Sequence, residues 1–525
     1  MMHNKNGMSS VATAVKLLAA TIAVGVMGSA AAQTADTETT RVIVAFKHGK
    51  HADMHKDIAT NHGRVKQDLA EIDAAAVEIS KADLKELRKS KHVDYIEEDL
   101  IRRPFALTSP SAAPYQAGQL VPYGIKMVQA DLLSDANAGN RKVCIIDSGV
   151  DRAHEDLVGN STNMTGDNDS GTGNWFTDEN HHGTHVSGTV AAVNNSGVGV
   201  VGVNSNAKLK LHYIKVFNAA GWAYSSTLAA AANKCGAAGA NVISMSLGGG
   251  GSSKTEQRAF DALQTKGVLS IAAAGNDGNT VVSYPAGYAS VMMVAALDEN
   301  KAWATFSQYN SKVEIAGPGV AVLSSVPTNS GSAPALTVGT SVYAPGAMDG
   351  SPVKSATAPL ADFGIGDVQN SAVAGKVCLI ARGTIDFATK VGNCQASGGV
   401  GAVVYNNAAG GFTGTVGTTT TIPSVSAADT EGAAMKGQLG QSATVAVKPY
   451  SYAYFDGTSM ATPHVSAVAA LVWSYFPSCT GAQIRASLTK SAMDLGTAGR
   501  DVYYGFGLVQ AKAAKDRIAS LGCGL

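Results

Sequence analysis

The feature that most restricts the fold of this chain is an alternation of short apolar runs with stretches of helical spacing, which begins near residue 140. The predicted strands cover residues 143–146, which are continuously apolar, and residues 209–216, 242–247 and 268–273. The helical stretches cover residues 182–193, 228–238 and 257–265. Short continuous apolar runs are typical of strands buried on both faces, and parallel strands need a crossover, usually a helix. The alternation therefore predicts an α/β fold in which a parallel sheet is covered by helices on both faces.

Three regions outside this alternation have other patterns. Residues 41–104 combine three predicted strands with two polar helical stretches, which predicts a small α+β unit that buries little surface alone. Residues 106–119 are rich in Ser, Ala and Pro and predict an exposed linker. Residues 331–448 are rich in Gly, Ala, Thr and Val and predict a mainly β insert. We interpret residues 117–330 and 449–525 as two parts of one domain that this insert interrupts.

The composition fits an exported protein with a large core. The 525 residues are 45% hydrophobic and 15% charged, and the 40 basic and 40 acidic residues cancel. No net field therefore favours nucleic acid or a membrane surface.

Residues 1–32 have the pattern of a secretory signal peptide, with Lys5 and Lys16 before an apolar run at 17–26 and small residues at 30–32. The alternative is a buried amino-terminal helix. We expect a secreted monomer that has no transmembrane helix.

The cysteines also fit an oxidising compartment. No pair has the C-x-x-C spacing of a zinc site, and spacing alone leaves the connectivity open. The six are Cys144, Cys235, Cys378, Cys394, Cys479 and Cys523.

Three motifs carry residues suited to nucleophilic catalysis. Asp147 ends a predicted buried strand, and His182 and Ser459 each begin a predicted helix. A serine hydroxyl is a weak nucleophile that needs a base within hydrogen-bond reach, and the base needs a carboxylate to set its tautomer. Alone, Asp147 could cap a turn, His182 could be packed or bind a metal, and Ser459 could cap a helix. In this order, together, they predict an Asp-His-Ser triad.

The three motifs resemble the signatures of the subtilase family. The resemblance covers residues 117–330 and 450–520 and is carried by the following segments: 121–124 (VPYG), 145–149 (IIDSG), 182–186 (HGTHV), 246–249 (SLGG), 272–276 (AAAGN) and 457–463 (GTSMATP). It implies a subtilisin-like fold and a serine endopeptidase that acts on proteins and peptides. In the family the first histidine of the H-G-T-H run is the base, which selects His182 over His185. The resemblance also implies that Asn276 donates a hydrogen bond to the oxyanion, with help from Thr458.

The same resemblance implies a substrate cleft. A peptide is expected to bind as an added strand, because pairing through main-chain groups tolerates many sequences. Ser283 is expected at the floor of the first specificity pocket, and because no acidic residue stands there, we expect a loose preference for apolar or aromatic side chains. The flanking residues implied by the family are Ser246, Leu247, Gly248, Ala273, Ala274 and Gly275.

A calcium site is implied by a carboxylate and a loop. Asp156 lies nine residues after Asp147, and residues 193–196 resemble the calcium loop of the family. Calcium needs hard oxygen ligands, and the implied set is Asp156, Asn195 and the carbonyls of Val193, Val198 and Val200. One extra residue around Gly197 makes the last two carbonyls less secure members of the set. The alternative is an ordinary polar surface loop.

The two flanking regions have family counterparts as well. Residues 41–104 resemble the inhibitor propeptide of subtilases, which assists folding and then blocks the cleft, so the precursor is expected to be a zymogen. This region holds five of the 12 histidines, which could make release pH-dependent or be ordinary surface residues. The insert resembles a protease-associated (PA) domain at residues 375–383, 387, 390–394 and 401–407.

The disulfide pairing follows only in part from position. Cys378 and Cys394 share the insert, and Cys479 and Cys523 flank the carboxyl-terminal helices, so each pair is expected to form a bridge. Proteinase K-like subtilases join the strand of Cys144 to the region of Cys235. The alternative for this last pair is two buried free thiols.

Two other classes of function compete with the endopeptidase. One is a binding protein that keeps an inactive peptidase scaffold; the triad residues together with Asn276 argue against it, because a decayed enzyme usually lacks one of them. The other is an esterase, which would require a G-x-S-x-G elbow. The nucleophile here lies instead in the run Gly-Thr-Ser-Met-Ala at 457–461.

Overall fold

The computed structural model describes residues 38–108, 118–195, 197–417 and 419–524. The predicted signal peptide at residues 1–32 lies outside the described residues, as does most of the predicted linker.

The amino-terminal unit is a four-stranded antiparallel sheet with the order β2-β3-β1-β4 and two helices. Its helices and strands are β1 (Thr39–Phe46), α1 (His51–Thr60), β2 (Arg64–Leu69), β3 (Ala74–Ser80), α2 (Lys81–Leu87) and β4 (Val93–Glu98). A small apolar cluster that includes Val44, Met54 and Val77 holds the helices to the sheet. The predicted α+β unit is present, with one strand, β2, that the sequence pattern did not reveal.

Each histidine of this unit contacts an aspartate carboxylate at 3.3 Å or less; the pairs are His48–Asp73, His51–Asp68, His55–Asp68, His62–Asp83 and His92–Asp57. A role for them in pH-dependent release stays a prediction.

Two short strands follow the amino-terminal unit and leave it for the main unit. β5 (Ile101–Pro104) pairs with two strands of the main unit, and β6 (Leu107–Thr108) pairs with a third. The predicted linker at residues 106–119 thus begins with a short paired strand at Leu107–Thr108, and its exposure stays a prediction. These residues are held because the neighbouring edge strand offers them backbone hydrogen bonds.

The main unit is built on a seven-stranded sheet with the order β15-β14-β13-β11-β7-β9-β8, in which every pairing is parallel. Its helices and strands before the insert are α3 (Tyr123–Met127), β7 (Lys142–Asp147), β8 (Met164–Asn168), α4 (His182–Ala191), β9 (Lys210–Lys215), β10 (Ala223–Tyr224), α5 (Ser225–Ala237), β11 (Val242–Met245), β12 (Leu247–Gly248), α6 (Lys254–Thr265), β13 (Leu269–Ala273), β14 (Val291–Leu297), β15 (Val313–Pro318) and β16 (Val322–Ser325).

The insert forms a separate nine-stranded sheet with the order β18-β17-β25-β20-β21-β22-β24-β19-β23. Its helices and strands are β17 (Gly331–Val338), β18 (Ser341–Tyr343), β19 (Gly346–Asp349), β20 (Ser355–Asp362), β21 (Val377–Ala381), α7 (Phe387–Ala396), β22 (Gly401–Tyr405), β23 (Gly414–Thr415), β24 (Ser424–Ala427), α8 (Asp429–Lys436) and β25 (Ser442–Tyr450). Gly331 pairs with Tyr450, so the chain enters and leaves the insert side by side.

The main unit resumes with β26 (Tyr452–Asp456), α9 (Thr458–Tyr475), α10 (Gly481–Lys490) and α11 (Ala511–Leu521). Helix α9 is buried along almost its whole length and packs with α4 against the central sheet. Helices α5 and α6 pack on each other, and they also contact the sheet, α5 at β7 and β9 and α6 at β13. The predicted parallel sheet flanked by helices is confirmed. Across the described residues, no helix is both long and apolar enough to span a membrane.

Three disulfides join the six cysteines, all of which lie in the described residues. Cys144 on β7 bonds to Cys235 on α5, with Cα atoms 5.7 Å apart. The expected pairings are confirmed, and the alternative of two buried free thiols is wrong. The other two bridges are Cys378–Cys394 and Cys479–Cys523.

Candidate active site

A buried aspartate and histidine meet at the carboxyl edge of the central sheet. Asp147 is the last residue of β7, and His182 is the first residue of α4. Their side chains are 1% and 3% exposed, and His182 Nδ1 lies 2.7 Å from Asp147 Oδ1. The carboxylate accepts a hydrogen bond from the Nδ1–H group, so the other ring nitrogen, Nε2, is free to act as a base.

A second buried aspartate fixes the position of this pair. Asp178 Oδ1 accepts a hydrogen bond from the Ser148 hydroxyl at 2.8 Å, and its Oδ2 accepts from the backbone N–H and hydroxyl of Thr184 at 2.8 and 2.7 Å. Burial raises the pKa of Asp178 despite these hydrogen bonds. Asp178 thus ties the loop after β7 to the first turn of α4. No local motif marks Asp178, because only the folded chain brings these residues together.

Ser459 lies in the first turn of α9 and makes no hydrogen bond to His182 Nε2 in this structure. Its hydroxyl donates to the Ser246 carbonyl at 2.7 Å and accepts from the Phe105 N–H at 2.9 Å. His182 Nε2 has no hydrogen-bond partner among the described residues. The structure therefore forms the predicted Asp147–His182 contact, whereas the predicted serine–histidine contact requires rotation of the Ser459 side chain.

Two N–H donors converge on one peptide carbonyl beside Ser459. Asn276 Nδ2 and the Ser459 backbone N–H donate to the Phe105 carbonyl at 2.9 and 3.3 Å. Asn276 Oδ1 accepts from the N–H and the hydroxyl of Thr458, each at 2.9 Å. Because Thr458 occupies the amide oxygen, the amide nitrogen must face Phe105. The arrangement stabilises negative charge on that carbonyl oxygen.

The carbonyl belongs to a strand of the chain itself that fills the cleft. β5 lies between β10 and β12 and runs antiparallel to both, with Arg102 opposite Ala223 and Pro104 opposite Leu247. Phe105 follows it and donates its N–H to the Ser246 carbonyl at 3.3 Å. The peptide bond between Phe105 and Ala106 is thereby held at Ser459.

One residue of the predicted specificity pocket, Gly248, contacts the Phe105 side chain. A Cβ built on Gly248 would lie 2.7 Å from Phe105 Cε2, so the ring packs on that glycine. Ser283 is buried, and its hydroxyl donates to Gln308 Oε1 at 3.0 Å. A Cβ on Gly275 would lie 1.4 Å from Gln308 Oε1, so this glycine cannot carry a side chain. Gln308 was not predicted, since no local motif marks it.

The remaining predicted cleft residues lie close by. The Ser246 hydroxyl donates to the Ser459 carbonyl at 2.7 Å, and Ala273 and Ala274 are fully buried at the end of β13. A cavity of about 320 Å³ stays open beside the bound strand. It is lined by Arg103, Pro104, Ala106, Asn180, His182, Gly221 and Phe455.

The predicted calcium ligands gather around a buried carboxylate. Asp156 is fully buried, and its oxygens accept from the Val200 N–H at 2.7 Å and from Asn195 Nδ2 at 3.0 Å. Burial raises its pKa despite the hydrogen bond from Val200. Among the described residues, no lysine or arginine forms a salt bridge with it. A buried carboxylate that no lysine or arginine pairs with fits a site for a hard cation.

Neighbouring groups add further hydrogen bonds to this loop. Gln119, which was not predicted, has its Nε2 3.3 Å from both the Val193 carbonyl and Asn195 Oδ1. Val198 donates its N–H to Asn195 Oδ1 at 3.3 Å. Val198 and Val200 thus both present N–H groups to this cluster, and the role of their carbonyls as calcium ligands stays a prediction.

A peptide carbonyl held between a serine hydroxyl and two N–H donors is the arrangement that hydrolysis through an acyl-enzyme requires. On a parallel α/β sheet of this topology, it defines the class of serine endopeptidases with a subtilisin-like fold.

Comparison with known proteins identifies the family. A sequence model of the subtilase family matches residues 139–350 and 377–507, more than half of the chain. Subtilisin amylosacchariticus from Bacillus subtilis subsp. amylosacchariticus is 34% identical over 324 residues, covering 58% of this chain and 78% of that protein. The alkaline protease of Alkalihalobacillus alcalophilus is 38% identical over 277 residues, covering 52% and 67%.

A solved structure shows the same relationship. The psychrophilic subtilisin-like protease Apa1 from the Antarctic psychrotroph Pseudoalteromonas sp. AS-11 is 44% identical in sequence and superposes with a TM-score of 0.61. The alignment covers 78% of this chain and 100% of the Apa1 chain. The chain belongs to the subtilase family.

Proposed function

We propose that this chain is a secreted endopeptidase made as a self-processing zymogen, in which Asp147, His182 and Ser459 form the triad and Asn276 supplies an oxyanion donor. The observation that carries the proposal is the Phe105 carbonyl, which accepts hydrogen bonds from Asn276 and from the Ser459 N–H. A substrate carbonyl must occupy this position for the serine hydroxyl to attack it.

The first half of the reaction forms an acyl-enzyme. Rotation of the Ser459 side chain away from Ser246 brings its hydroxyl to His182 Nε2, which takes the proton as Oγ attacks the carbonyl carbon. Asp147 stabilises the resulting imidazolium. The charge that develops on the carbonyl oxygen is held by Asn276 Nδ2 and the Ser459 N–H. The intermediate collapses when the carbon–nitrogen bond breaks and Nε2 returns the proton to the leaving nitrogen.

In the second half of the reaction, water replaces the serine hydroxyl as the nucleophile and hydrolyses the acyl-enzyme. His182 Nε2 takes a proton from water, whose oxygen attacks the acyl carbon, and then gives the proton back to Ser459 Oγ. The products are a new carboxylate and a new amine.

We infer that the first substrate is the chain itself, cut between Phe105 and Ala106. The strand before this bond pairs with both walls of the cleft, and β6 after it pairs with β26. The same main-chain pairing suits many sequences, which supports broad specificity. The packing of Phe105 on Gly248 supports the preference for apolar and aromatic residues in the first pocket.

The amino-terminal unit is suited to act as the inhibitor propeptide. Two of its carboxylates cap helices of the main unit: Glu97 accepts from the backbone N–H groups of Lys254 and Thr255 at 2.8 and 2.9 Å, and Asp99 accepts from that of Ser226 at 2.9 Å. A carboxylate at a helix start stabilises the complex through the helix dipole. This segment would stay in the cleft after cleavage until it is degraded or released.

The domain organisation follows the same proposal. Residues 1–32 would be the signal peptide, residues 41–104 with Phe105 the propeptide, and residues 117–330 and 449–525 the peptidase with its PA-like insert at 331–448. The insert supports the PA assignment through its mainly β architecture and its own disulfide. We further propose that the mature protein is a monomer.

We also propose that calcium binds beside Asp156. The donors suited to it are the Asp156 carboxylate, the Asn195 side-chain oxygen and the Val193 carbonyl, with Gln119 next to them. When bound, the ion would supply positive charge to a buried carboxylate and hold the loop to the main unit.

The test of the proposed function is loss of peptide hydrolysis in a Ser459→Ala variant, together with covalent labelling of Ser459 in the wild type by phenylmethylsulfonyl fluoride. The matched control is Ser466→Ala on the same helix, because the Ser466 hydroxyl is buried without a hydrogen-bond partner. We expect the control to hydrolyse a peptide that contains Phe at the cleavage site. Labelling of another serine, or hydrolysis by Ser459→Ala, would contradict the assignment.

A further inference from the structure

The strand in the cleft carries an arginine that is completely buried. Arg102 lies three residues before Phe105, and its side chain is 0% exposed, as is that of Glu256 in the main unit. Arg102 Nε donates to Glu256 Oε1 at 2.9 Å, and Nη2 donates to Oε2 at 2.7 Å. This is a two-point ion pair of a guanidinium with a carboxylate.

Other groups of the pocket accept the remaining hydrogen bonds of the Arg102 guanidinium. Nη1 donates to the Gly250 carbonyl at 3.3 Å, and Nη2 donates to the Gly251 carbonyl at 3.2 Å. The Tyr288 hydroxyl lies 2.6 Å from Glu256 Oε2. Burial lowers the pKa of Arg102, but the contact with Glu256 outweighs this effect and leaves the pKa raised. The site therefore provides both the charge and the planar geometry that arginine needs.

The two halves of this ion pair have different fates under the proposed function. Arg102 leaves with the propeptide, whereas Glu256 is in the first turn of α6, and Gly250 and Gly251 precede that helix. The mature protein thus keeps a carboxylate at the base of a pocket that has lost its cation. An ionised carboxylate removed from water is costly unless a cation pairs with it.

The register of the cleft determines which substrate residue enters this pocket. Arg102 lies opposite Ala223 of β10, and its neighbour Arg103 lies opposite Gly248 of β12. A substrate strand in the same register puts its fourth residue on the amino side of the cut bond where Arg102 lies now. Arg103, by contrast, is exposed.

We propose that Glu256, with the carbonyls of Gly250 and Gly251, forms a guanidinium-binding pocket that selects arginine at the fourth residue before the cleaved bond. The inference rests on the proposed endopeptidase function and adds a second determinant to the apolar first pocket. Lysine fits less well, because an ammonium group cannot span both carboxylate oxygens and the two carbonyls as a planar fork does.

The test compares mature wild type and Glu256→Gln on quenched-fluorescent peptides that share Pro-Phe before the cut and differ only in Arg, Lys or Leu at the fourth position. For the wild type we expect kcat/KM for the Arg peptide to exceed that for the Leu peptide by at least about tenfold, with Lys between them. For Glu256→Gln we expect the Arg-to-Leu ratio to fall to about threefold or less. The matched control is Asp261→Asn, an exposed acid on the same helix, which should keep the wild-type ratio.

Each result decides the proposal. Equal cleavage of the Arg and Leu peptides by the wild type would overturn it and leave Arg102 as a propeptide anchor only, while the endopeptidase function would stand. Cleavage of none of the peptides would contradict the endopeptidase function itself. If Glu256→Gln does not mature, the double variant Arg102→Leu/Glu256→Leu replaces the ion pair by apolar groups, a change that buried pairs often tolerate. Retention of the Arg preference in that variant would also overturn the proposal.

Discussion

At the scale of single residues, the chemistry depends on which atom each side chain leaves available. Thr458 occupies the oxygen of Asn276, so the amide nitrogen faces the substrate carbonyl. Asp147 occupies Nδ1 of His182, so Nε2 faces the cleft. In both cases a neighbouring residue forms a hydrogen bond with one polar atom of the side chain and so leaves the other polar atom available for the reaction.

Replacement of Asn276 by Ala tests the oxyanion donor. Because this hydrogen bond strengthens as charge develops, we expect kcat to fall by about 10²–10³, the range known for loss of this donor in subtilisin, with little change in KM. Steady-state kinetics on a peptide substrate measures both. The exposed Asn300→Ala is the control. A rise in KM with unchanged kcat would mean that Asn276 binds the ground state only.

Two buried histidines predict how stability depends on pH. Burial lowers the pKa of His185 to about 3 and that of His464 to about 4, from an ordinary value of 6.5. Below pH 6.5 these histidines bind protons in the unfolded chain but stay neutral in the folded chain. The free energy of unfolding should therefore fall as the pH drops below 6.5, by up to about 1.4 kcal/mol per pH unit for each histidine.

Thermal unfolding of the Ser459→Ala precursor between pH 7 and pH 5 measures this effect. We expect His464→Gln to unfold with a shallower pH dependence, whereas His48→Gln, at an exposed position, should keep the full dependence. Identical slopes for the two variants would contradict the assignment to His464.

At the scale of helices, strands and loops, the segment around Asp156 should respond to calcium. An ion that binds only the folded state stabilises it by mass action, by about 2.7 kcal/mol at one hundred times its Kd. We therefore expect excess chelator to lower the unfolding temperature and to speed autolysis. Asp156→Asn should lose this response, and Asp131→Asn, at an exposed position, should keep it. Melting that does not change in chelator would remove Asp156 and Asn195 from the ligand set.

The elements also show what the sequence could predict and what it could not. The central strands were predictable, because burial on both faces makes them continuous apolar runs, as in β7 and β13. β5, β10 and β12 have two to four residues each and exist through pairing with one another, so no local pattern marks them. The triad candidates carry family motifs, whereas Glu256 stands in an ordinary amphipathic helix. Its partner, Arg102, is 154 residues away in the chain.

At the scale of the whole molecule, the amino-terminal unit and the insert are both connected to strands at the cleft of the main unit. The amino-terminal unit places β5 and Phe105 in the cleft, and the insert leaves the main unit between β16 and β26, which pair with each other. β26 also pairs with β6, just beyond the bond proposed for cleavage. The insert is therefore joined to the strand that holds the leaving side of the substrate.

The cut between Phe105 and Ala106 in the chain's own precursor tests the central claim most directly. Intact-mass spectrometry of the purified wild type, incubated beside the Ser459→Ala precursor, measures where the released amino-terminal fragment ends. We expect a wild-type fragment that ends at Phe105 and a Ser459→Ala chain that stays uncut. Release of the same fragment from purified Ser459→Ala, or a wild-type fragment that ends at another residue, would contradict the account.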